Sequence, residues 1–89
     1  MLNQVVLIGR MGDFIKENCF IVNVPRSYKN ENGDYNVDQI EAYVTGNILK
    51  NTKEYTHKGD VVGIKARLEN LEGSMILRVE KITFLSASK

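Results

Sequence analysis

The chain has 89 residues, of which 43% are apolar, with 12 basic and 11 acidic side chains. A chain of this length forms one domain with a small core, so we expect burial to be supplemented by association with further copies. The single cysteine, Cys19, excludes an internal disulfide and favours a reducing, cytoplasmic compartment. No apolar run approaches the roughly 20 residues that span a bilayer, and no signal-peptide pattern opens the chain, so no membrane association is expected.

The net charge of +1 conceals an uneven distribution along the chain. Residues 1–29 have a net charge of +2 and residues 46–68 a net charge of +3, whereas residues 30–45 carry four carboxylates and no basic side chain. A polyanionic partner is therefore compatible with part of the surface, although composition alone does not demand one.

The first predicted strand covers residues 1–11, M-L-N-Q-V-V-L-I-G-R-M. Val5, Leu7, Gly9 and Met11 share one face, and the other face also carries apolar residues, so both faces should be covered in a closed barrel or at a subunit contact. Gly9 is placed where such a strand bends from one side of a barrel to the other. Gly12-Asp13 predicts a turn, with a loop over residues 12–18.

The second predicted strand covers residues 19–24, with Phe20, Val22 and Val24 facing the core and Cys19 as a small core or near-core residue. Pro25 lacks an amide hydrogen and should interrupt the ladder. Asn32-Gly33-Asp34 predicts a hairpin turn. A third strand then places Ile40, Ala42 and Val44 inward, and it places four other residues outward: Gln39, Glu41, Tyr43 and Thr45.

A short helix is predicted after Gly46, with Asn47 as its N-cap and Gly59 at the left-handed position that follows its end. Ile48, Thr52 and Tyr55 form a narrow stripe that should close one end of a barrel, which makes Tyr55 a core residue. His57 has no second ligand at metal spacing, so no metal or other cofactor is expected.

Two more strands follow the helix. In the fourth strand the inward set is Val62, Ile64, Ala66 and Leu68, and a tight return over residues 71–74 leads to the fifth strand. There the inward set begins as Met75, Leu77 and Val79 and continues as Ile82 and Phe84; this change of parity at Glu80-Lys81 predicts a bulge. Residues 86–89 are expected to be frayed.

The order β-β-β-α-β-β predicts an all-β fold: a five-stranded Greek-key barrel with one short helix between strands 3 and 4, the oligonucleotide/oligosaccharide-binding (OB) fold. Three segments resemble bacterial and phage single-stranded DNA-binding proteins. They are M-L-N-Q-V-V-L-I-G-R at 1–10, Y-V-T-G-N at 43–47, and Y-T-H-K-G-D-V-V-G-I at 55–64. The resemblance covers nearly the whole chain, as a single OB-fold domain over residues 1–89.

The resemblance implies sequence-tolerant binding of single-stranded DNA in replication, recombination or repair, by homo-oligomers that are dimers or tetramers. Such binding needs aromatic rings for bases and cations for phosphates. Tyr28 matches a stacking position of the family, Lys29 follows it, and Lys58 matches a basic residue before a glycine. Gln39 and Thr45 stand where the family often has aromatics, and Tyr43 is expected to substitute in part. The remaining phosphate contacts are predicted at Arg10, Arg26, Lys65 and Arg67.

Several alternatives stay open from the residues alone. Tyr28 and Tyr35 fit packing on their own hairpin, and Lys65 with Arg67 fits a solvated face. The acidic segment, with Glu41 beside Tyr43, argues against DNA crossing that part of the sheet. The chain also lacks the long arm between the last two strands and the acidic-tipped tail of the family, so we expect a short, tailless member.

The rival hypothesis is a replication-restart module that bridges a helicase or primase to DNA, and a structural oligomerisation domain is a third. No nucleophile–base pair, phosphate loop or metal cluster supports an enzyme.

Overall fold

The chain folds, in the computed structural model, into five strands and one helix, and the structure describes residues 2–86. The elements are β1 (Val5–Lys16), β2 (Cys19–Lys29), β3 (Tyr35–Tyr43), α1 (Gly46–Tyr55), β4 (Val61–Leu71) and β5 (Ser74–Ser86). The strands close into a barrel in the order β1-β2-β3-β5-β4, in which only the β3–β5 pair is parallel. The predicted order and barrel are confirmed. The predicted fraying of residues 86–89 is wrong at Ser86, which pairs with Val61 at the end of β5, and its other three residues lie outside the described part of the chain.

The barrel interior is built from the inward faces that alternation predicted. Its fully covered centre includes Phe20 and Val22 from β2 and Val62, Ile64 and Ala66 from β4. Ala42 and Val44 are buried as predicted, and Ile40 and Val24 pack against this cluster while partly exposed. Cys19 is fully buried, which confirms its predicted place in or near the core.

The predicted turn at Gly12-Asp13 is wrong, because both residues lie within β1. β1 pairs with β4 through residues 5–10 and with β2 from Arg10 onward, and the β1–β2 register shifts between Met11 and Phe14. The glycine therefore marks a bulge rather than a turn. A Cβ at Gly12 would lie 3.0 Å from the Ile21 carbonyl oxygen, which shows how closely the two strands approach.

Gly9 lies where β1 passes from β4 to β2, as the sequence predicted. A Cβ built on Gly9 would lie 2.6 Å from the backbone oxygen of Asn23, a distance that real Cβ atoms essentially never show. Only a glycine lets the backbone of β2 cross so close to β1.

The two ends of the helix differ from their predictions. Thr45, not Asn47, is the N-cap residue, and it makes no side-chain capping bond; the helix therefore begins two residues earlier than predicted, at Gly46, whose φ is +63°. At the other end Thr56 adopts an extended conformation and its N–H bonds to the Thr52 carbonyl. Gly59, with φ of +94°, therefore serves the turn before β4 rather than the helix end.

Tyr55 is not a core residue, since it is 59% exposed. Thr52 is buried and Ile48 packs against the barrel, but Leu49, not Tyr55, completes that contact. The Tyr55 ring instead lies 6.5 Å from that of Phe84. No helix within residues 2–86 combines the length and apolar character needed to cross a membrane.

The β4–β5 hairpin turns through Glu72 and Gly73, which have φ of +52° and +85°, as a two-residue hairpin turn requires. The predicted bulge is confirmed: Lys81 pairs with Lys65 and Val79 with Ala66, which leaves Glu80 extra.

Three residues predicted to face inward on β4 and β5 are exposed: Leu68, Met75 and Phe84. The parallel β3–β5 pairing is limited to Ala42–Leu77 and Tyr43–Arg78, so the hairpin beyond those pairs has no third strand to cover Leu68 and Met75. Phe84 lies near the helix end, where the partial contact with Tyr55 leaves it half exposed.

Candidate nucleic-acid interface

One row of side chains, joined by strand register, runs across all five strands, and we call it the Tyr43 row; Lys16, Tyr43, Arg67 and Arg78 reach the outer surface, whereas Cys19 is fully buried. Its members are neighbours by strand register: Lys16, Cys19, Tyr43, Arg78 and Arg67. Because residues paired in register share a face of the sheet, these side chains lie side by side. The Lys16 ammonium lies 5.9 Å from the centre of the Tyr43 ring. The row brings two predicted site residues, Tyr43 and Arg67, together.

Lys16 and Arg78 are the members that sequence reasoning missed. Arg78 joins Tyr43 only through the parallel β3–β5 contact, and Lys16 reaches it only through Cys19 across two strands. Neither proximity has a local sequence signal, because each depends on register between distant segments.

The Tyr43 row has a positive charge that its acidic neighbours do not cancel. Glu69 forms ion pairs with both arginines: its Oε1 accepts a hydrogen bond from Arg78 Nε at 3.2 Å, and its Oε2 lies 3.4 Å from Arg67 Nε. Burial raises the pKa of the Cys19 thiol, and the nearby Glu41 carboxylate raises it further, so the thiol stays neutral. Lys16, Arg67 and Arg78 thus outnumber the two nearby carboxylates, those of Glu69 and Glu41, and the row keeps a net positive charge.

A groove of about 590 Å³ lies beside Tyr43, between β3 and the β4–β5 hairpin. Its lining includes Gln39 and Glu41 from β3 and Leu68 and Met75 from the hairpin. Met75 is 62% exposed. An exposed thioether and a leucine beside an aromatic ring offer apolar contact to a flat ring system, whereas Glu41 places a carboxylate on the same groove.

Arg10 and Lys58 form a second group near the bend of β1. Arg10 lines a depression of about 390 Å³, and Lys58 lines one of about 280 Å³. The two depressions share Asn23, and the smaller one shares Gln39 with the groove beside Tyr43. The three depressions therefore follow one another across the outer face of β2 and β3.

The two cations of this second group have different partners. Arg10 Nη1 donates to the Gly59 carbonyl oxygen at 2.9 Å, a contact with a neutral group that brings no opposite charge. Lys58 Nζ lies 3.2 Å from Asp13 Oδ2, and both side chains are largely exposed, so solvent weakens that pair.

The β2–β3 hairpin carries a third group of predicted residues: Arg26, Tyr28 and Lys29. The Arg26 guanidinium binds the Asp38 carboxylate through two nitrogens and lies 6.0 Å from the Tyr28 ring. Lys29 Nζ lies 5.7 Å from the ring of Tyr35, its partner in register. Both tyrosine side chains are exposed, at the end of the hairpin that is remote from the Tyr43 row.

Lys65 stands apart from the tyrosines. It lies one outward position along β4 from Arg67, between Val6 of β1 and Lys81 of β5. Lys65, Val6 and Lys81 border an apolar depression of about 280 Å³ that is also lined by Ile8 and Leu85. Within residues 2–86, no group of three His, Cys, Asp or Glu side chains is arranged to hold a metal ion.

A closed five-stranded barrel with a helix between β3 and β4 is an OB fold. Solved structures with this architecture include the mitochondrial single-stranded DNA binding protein of S. cerevisiae, with a TM-score of 0.77 at 17% identity over 99% of both chains. The small single-stranded DNA-binding protein of Streptomyces coelicolor matches with a TM-score of 0.65 at 13% identity over 94% of both chains. These likenesses show the fold.

Sequence comparison shows the family. The single-stranded DNA-binding protein of Staphylococcus epidermidis is 32% identical in an alignment covering 97% of this chain and 78% of that protein. Single-stranded DNA-binding protein B of Bacillus subtilis is also 32% identical, over 82% of this chain and 77% of its own length. No protein-family model matches the chain. The chain belongs to the single-stranded DNA-binding protein family.

Proposed function

We propose that this protein binds single-stranded DNA with little sequence preference, as a non-catalytic coat during replication, recombination or repair. The observation that carries the proposal is the Tyr43 row, an aromatic ring between cations on the outer face of an OB barrel. The names of the related proteins support it. These names do not favour the alternative of a replication-restart module. In this proposal the chain acts as one OB-fold domain.

In this proposal a base stacks on Tyr43 while Lys16, Arg67 and Arg78 contact phosphates. A ring presents a π-face to every base, so stacking tolerates sequence, and cations gain affinity by releasing counterions from the strand. The next base lies in the groove against Met75 and Leu68, which replace the aromatic that is absent at Gln39. The apolar groove offsets the repulsion from Glu41.

The strand then continues across β2 and β3 toward the hairpin. Arg10 and Lys58 contact its phosphates at the two further depressions, because neither cation is held by a buried carboxylate. On the hairpin, Tyr28 offers a second stacking surface beside Arg26 and Lys29. Lys65 extends the positive charge of Arg67 along β4.

We also propose that the apolar depression on β1, β4 and β5 is covered by a second copy of this chain. Val6 and Ile8 are 69% and 62% exposed, and they lie beside Leu85, which is half exposed. Exposed aliphatic side chains that line one depression are typical of an interface. We expect light scattering to show a dimer or tetramer at micromolar concentration. Ile8→Glu should yield monomers, while Leu71→Glu, at the end of β4 beside the hairpin turn, should not. A monomeric wild type contradicts this proposal.

The DNA proposal is tested by fluorescence anisotropy with labelled oligo-dT over a range of salt concentrations. Tyr43→Leu keeps an apolar cover over Cys19 but removes the ring, and we expect affinity to fall about tenfold, within the range measured for one stacked base. Arg78→Gln should reduce the log–log salt slope by about 0.7, the value for one phosphate contact on a single strand.

Tyr55→Leu is the matched control, because Tyr55 is an exposed tyrosine outside the Tyr43 row. It should leave affinity within about twofold of wild type, since it removes no proposed stacking surface. Equal losses for the two tyrosine variants, or binding to duplex DNA as tight as to oligo-dT, would falsify the proposal.

A further inference from the structure

The acidic segment contains one carboxylate in close contact with a cation that the DNA proposal uses. Asp38 Oδ1 accepts from Arg26 Nη2 at 2.9 Å, and Oδ2 accepts from Nε at 3.1 Å, which is a two-pronged pair. The pair is on the surface, with the two side chains 39% and 45% exposed. The same guanidinium lies 6.0 Å from the Tyr28 ring, so Asp38, Arg26 and Tyr28 form a continuous series of contacts.

A guanidinium fork fits a carboxylate and a phosphate in the same way, through two parallel N–H groups. The side of Arg26 formed by Nε and Nη2 therefore cannot bind Asp38 and a DNA phosphate at once. An exposed pair of this kind is readily opened by a competing anion, because solvent screens its attraction. Arg10 differs, since its guanidinium contacts a neutral carbonyl in the free protein.

We propose that Asp38 acts as an internal competitor for DNA phosphate at Arg26 and thereby lowers the affinity of the hairpin for single-stranded DNA. The inference rests on the proposed function and adds a regulating residue to the same surface. In the free protein the carboxylate neutralises Arg26. When DNA binds, a phosphate displaces Asp38, and the displaced carboxylate then repels the strand. The strand therefore binds less tightly and is released more readily than the cations alone would allow.

The first test compares three variants by oligo-dT anisotropy across salt concentrations. Asp38→Asn keeps an oxygen for Arg26 but removes the competing charge, and we expect affinity at low salt to rise by about three- to tenfold. The salt slope should steepen by about 0.7, because Arg26 then neutralises a phosphate without releasing a carboxylate beside it. Arg26→Gln alone should lower affinity, because it removes a phosphate contact and leaves the Asp38 carboxylate to repel the strand. In the Asp38→Asn background it should abolish the gain.

Asp34→Asn is the matched control, because it removes one negative charge from the turn of the same hairpin without touching Arg26. We expect a smaller gain and an unchanged salt slope. An equal gain from Asp34→Asn, or a gain that survives Arg26→Gln, would show a general charge effect and overturn the proposal. A loss of affinity in Asp38→Asn would show that Asp38 positions Arg26 for DNA, which also overturns it.

A second measurement needs no substitution. The Arg26 Nε–H resonance in NMR spectra should shift when oligo-dT is added, because Nε leaves Asp38 for a phosphate; an unmoved resonance at saturation overturns the proposal. The failures are separable. If wild type binds oligo-dT and Asp38→Asn gains nothing, only this inference fails. If wild type does not bind oligo-dT, the proposed function fails and this inference fails with it.

Discussion

Replacing Gly9 with alanine tests the central geometric feature of the barrel. The new Cβ would lie 2.6 Å from the Asn23 carbonyl oxygen, 3.0 Å from Val22 Cγ1 and 3.1 Å from Val24 Cγ2. The nearest of these atoms belongs to the backbone of β2, so it cannot rotate away as a side chain would. Relief requires β1 and β2 to separate, which loosens the contact on which closure of the barrel depends.

The cost follows from this overlap. Overpacking a core typically costs about 1–3 kcal/mol, and a clash with backbone belongs near the upper end of that range. We therefore expect Gly9→Ala to lower the free energy of unfolding by about 2–3 kcal/mol, a large share of the roughly 5–15 kcal/mol that holds a domain folded. For a domain of this size the midpoint of thermal unfolding should fall by about 10–20 °C.

Gly63→Ala is the matched control, because it also places a methyl group on a strand glycine. Its Cβ would meet only Leu85 Cδ1, at 3.7 Å, which is ordinary contact. Stability should stay within about 1 kcal/mol of wild type, since the lower entropy of the unfolded chain favours alanine. Both variants are unfolded in urea and by heat at one protein concentration, followed by circular dichroism, since association affects apparent stability. Equal midpoints for the two variants would refute the reasoning.

Three further predictions concern single groups. The pKa of Asp38 lies below its usual value because of its bonds to Arg26, so the stabilisation is present above the pKa of an unfolded aspartate and is lost as pH falls through the lowered value. An NMR titration of the Asp38 carboxyl should show the lowered pKa, and that pKa should rise in the Arg26→Gln variant. Buried Cys19 should react with Ellman's reagent far more slowly in native protein than in urea, and equal rates would contradict its burial. Asn3 accepts from the Leu68 N–H at 2.9 Å and donates to its carbonyl at 2.7 Å. Asn3→Asp loses the donor, so urea unfolding should show that the free energy of unfolding falls by about 1 kcal/mol. An unchanged free energy would contradict the pair of hydrogen bonds.

Much of the fold could be predicted from the residues because strand alternation is a local signal. The inward sets of β2, β3 and most of β4 were recognised in this way, as was the bulge at Glu80, which appears as a change of parity within one strand. The errors fall where tertiary contacts overrule a local preference. The Gly12-Asp13 dipeptide is typical of a turn, but the register of β1 with β2 shifts there, so the glycine lies in a bulge within the strand. Met75 has the pattern of a core residue, but no strand covers it.

The candidate interface was less predictable than the fold. Tyr28, Lys29 and Lys58 were selected from their positions in a family pattern, and Tyr43 from its outward position on β3. The acidic partners of the predicted cations have no local sequence signal: Asp38 binds Arg26, Asp13 binds Lys58, and Glu69 binds Arg67 as well as Arg78. Which charges are compensated depends on distances across strands, and no local pattern encodes them.

The sequence by itself determined the element order, the alternating core, the place of the β1 bend at Gly9 and the family, since each depends on neighbouring residues or on similarity along the chain. Only the tertiary structure decided which side chains share a surface. The register of β1 with β2 and the short parallel contact of β3 with β5 place Lys16, Tyr43 and Arg78 in one row. The reason is physical: pairing register sets which distant residues are neighbours, and a shift of one residue would turn these side chains to the opposite face.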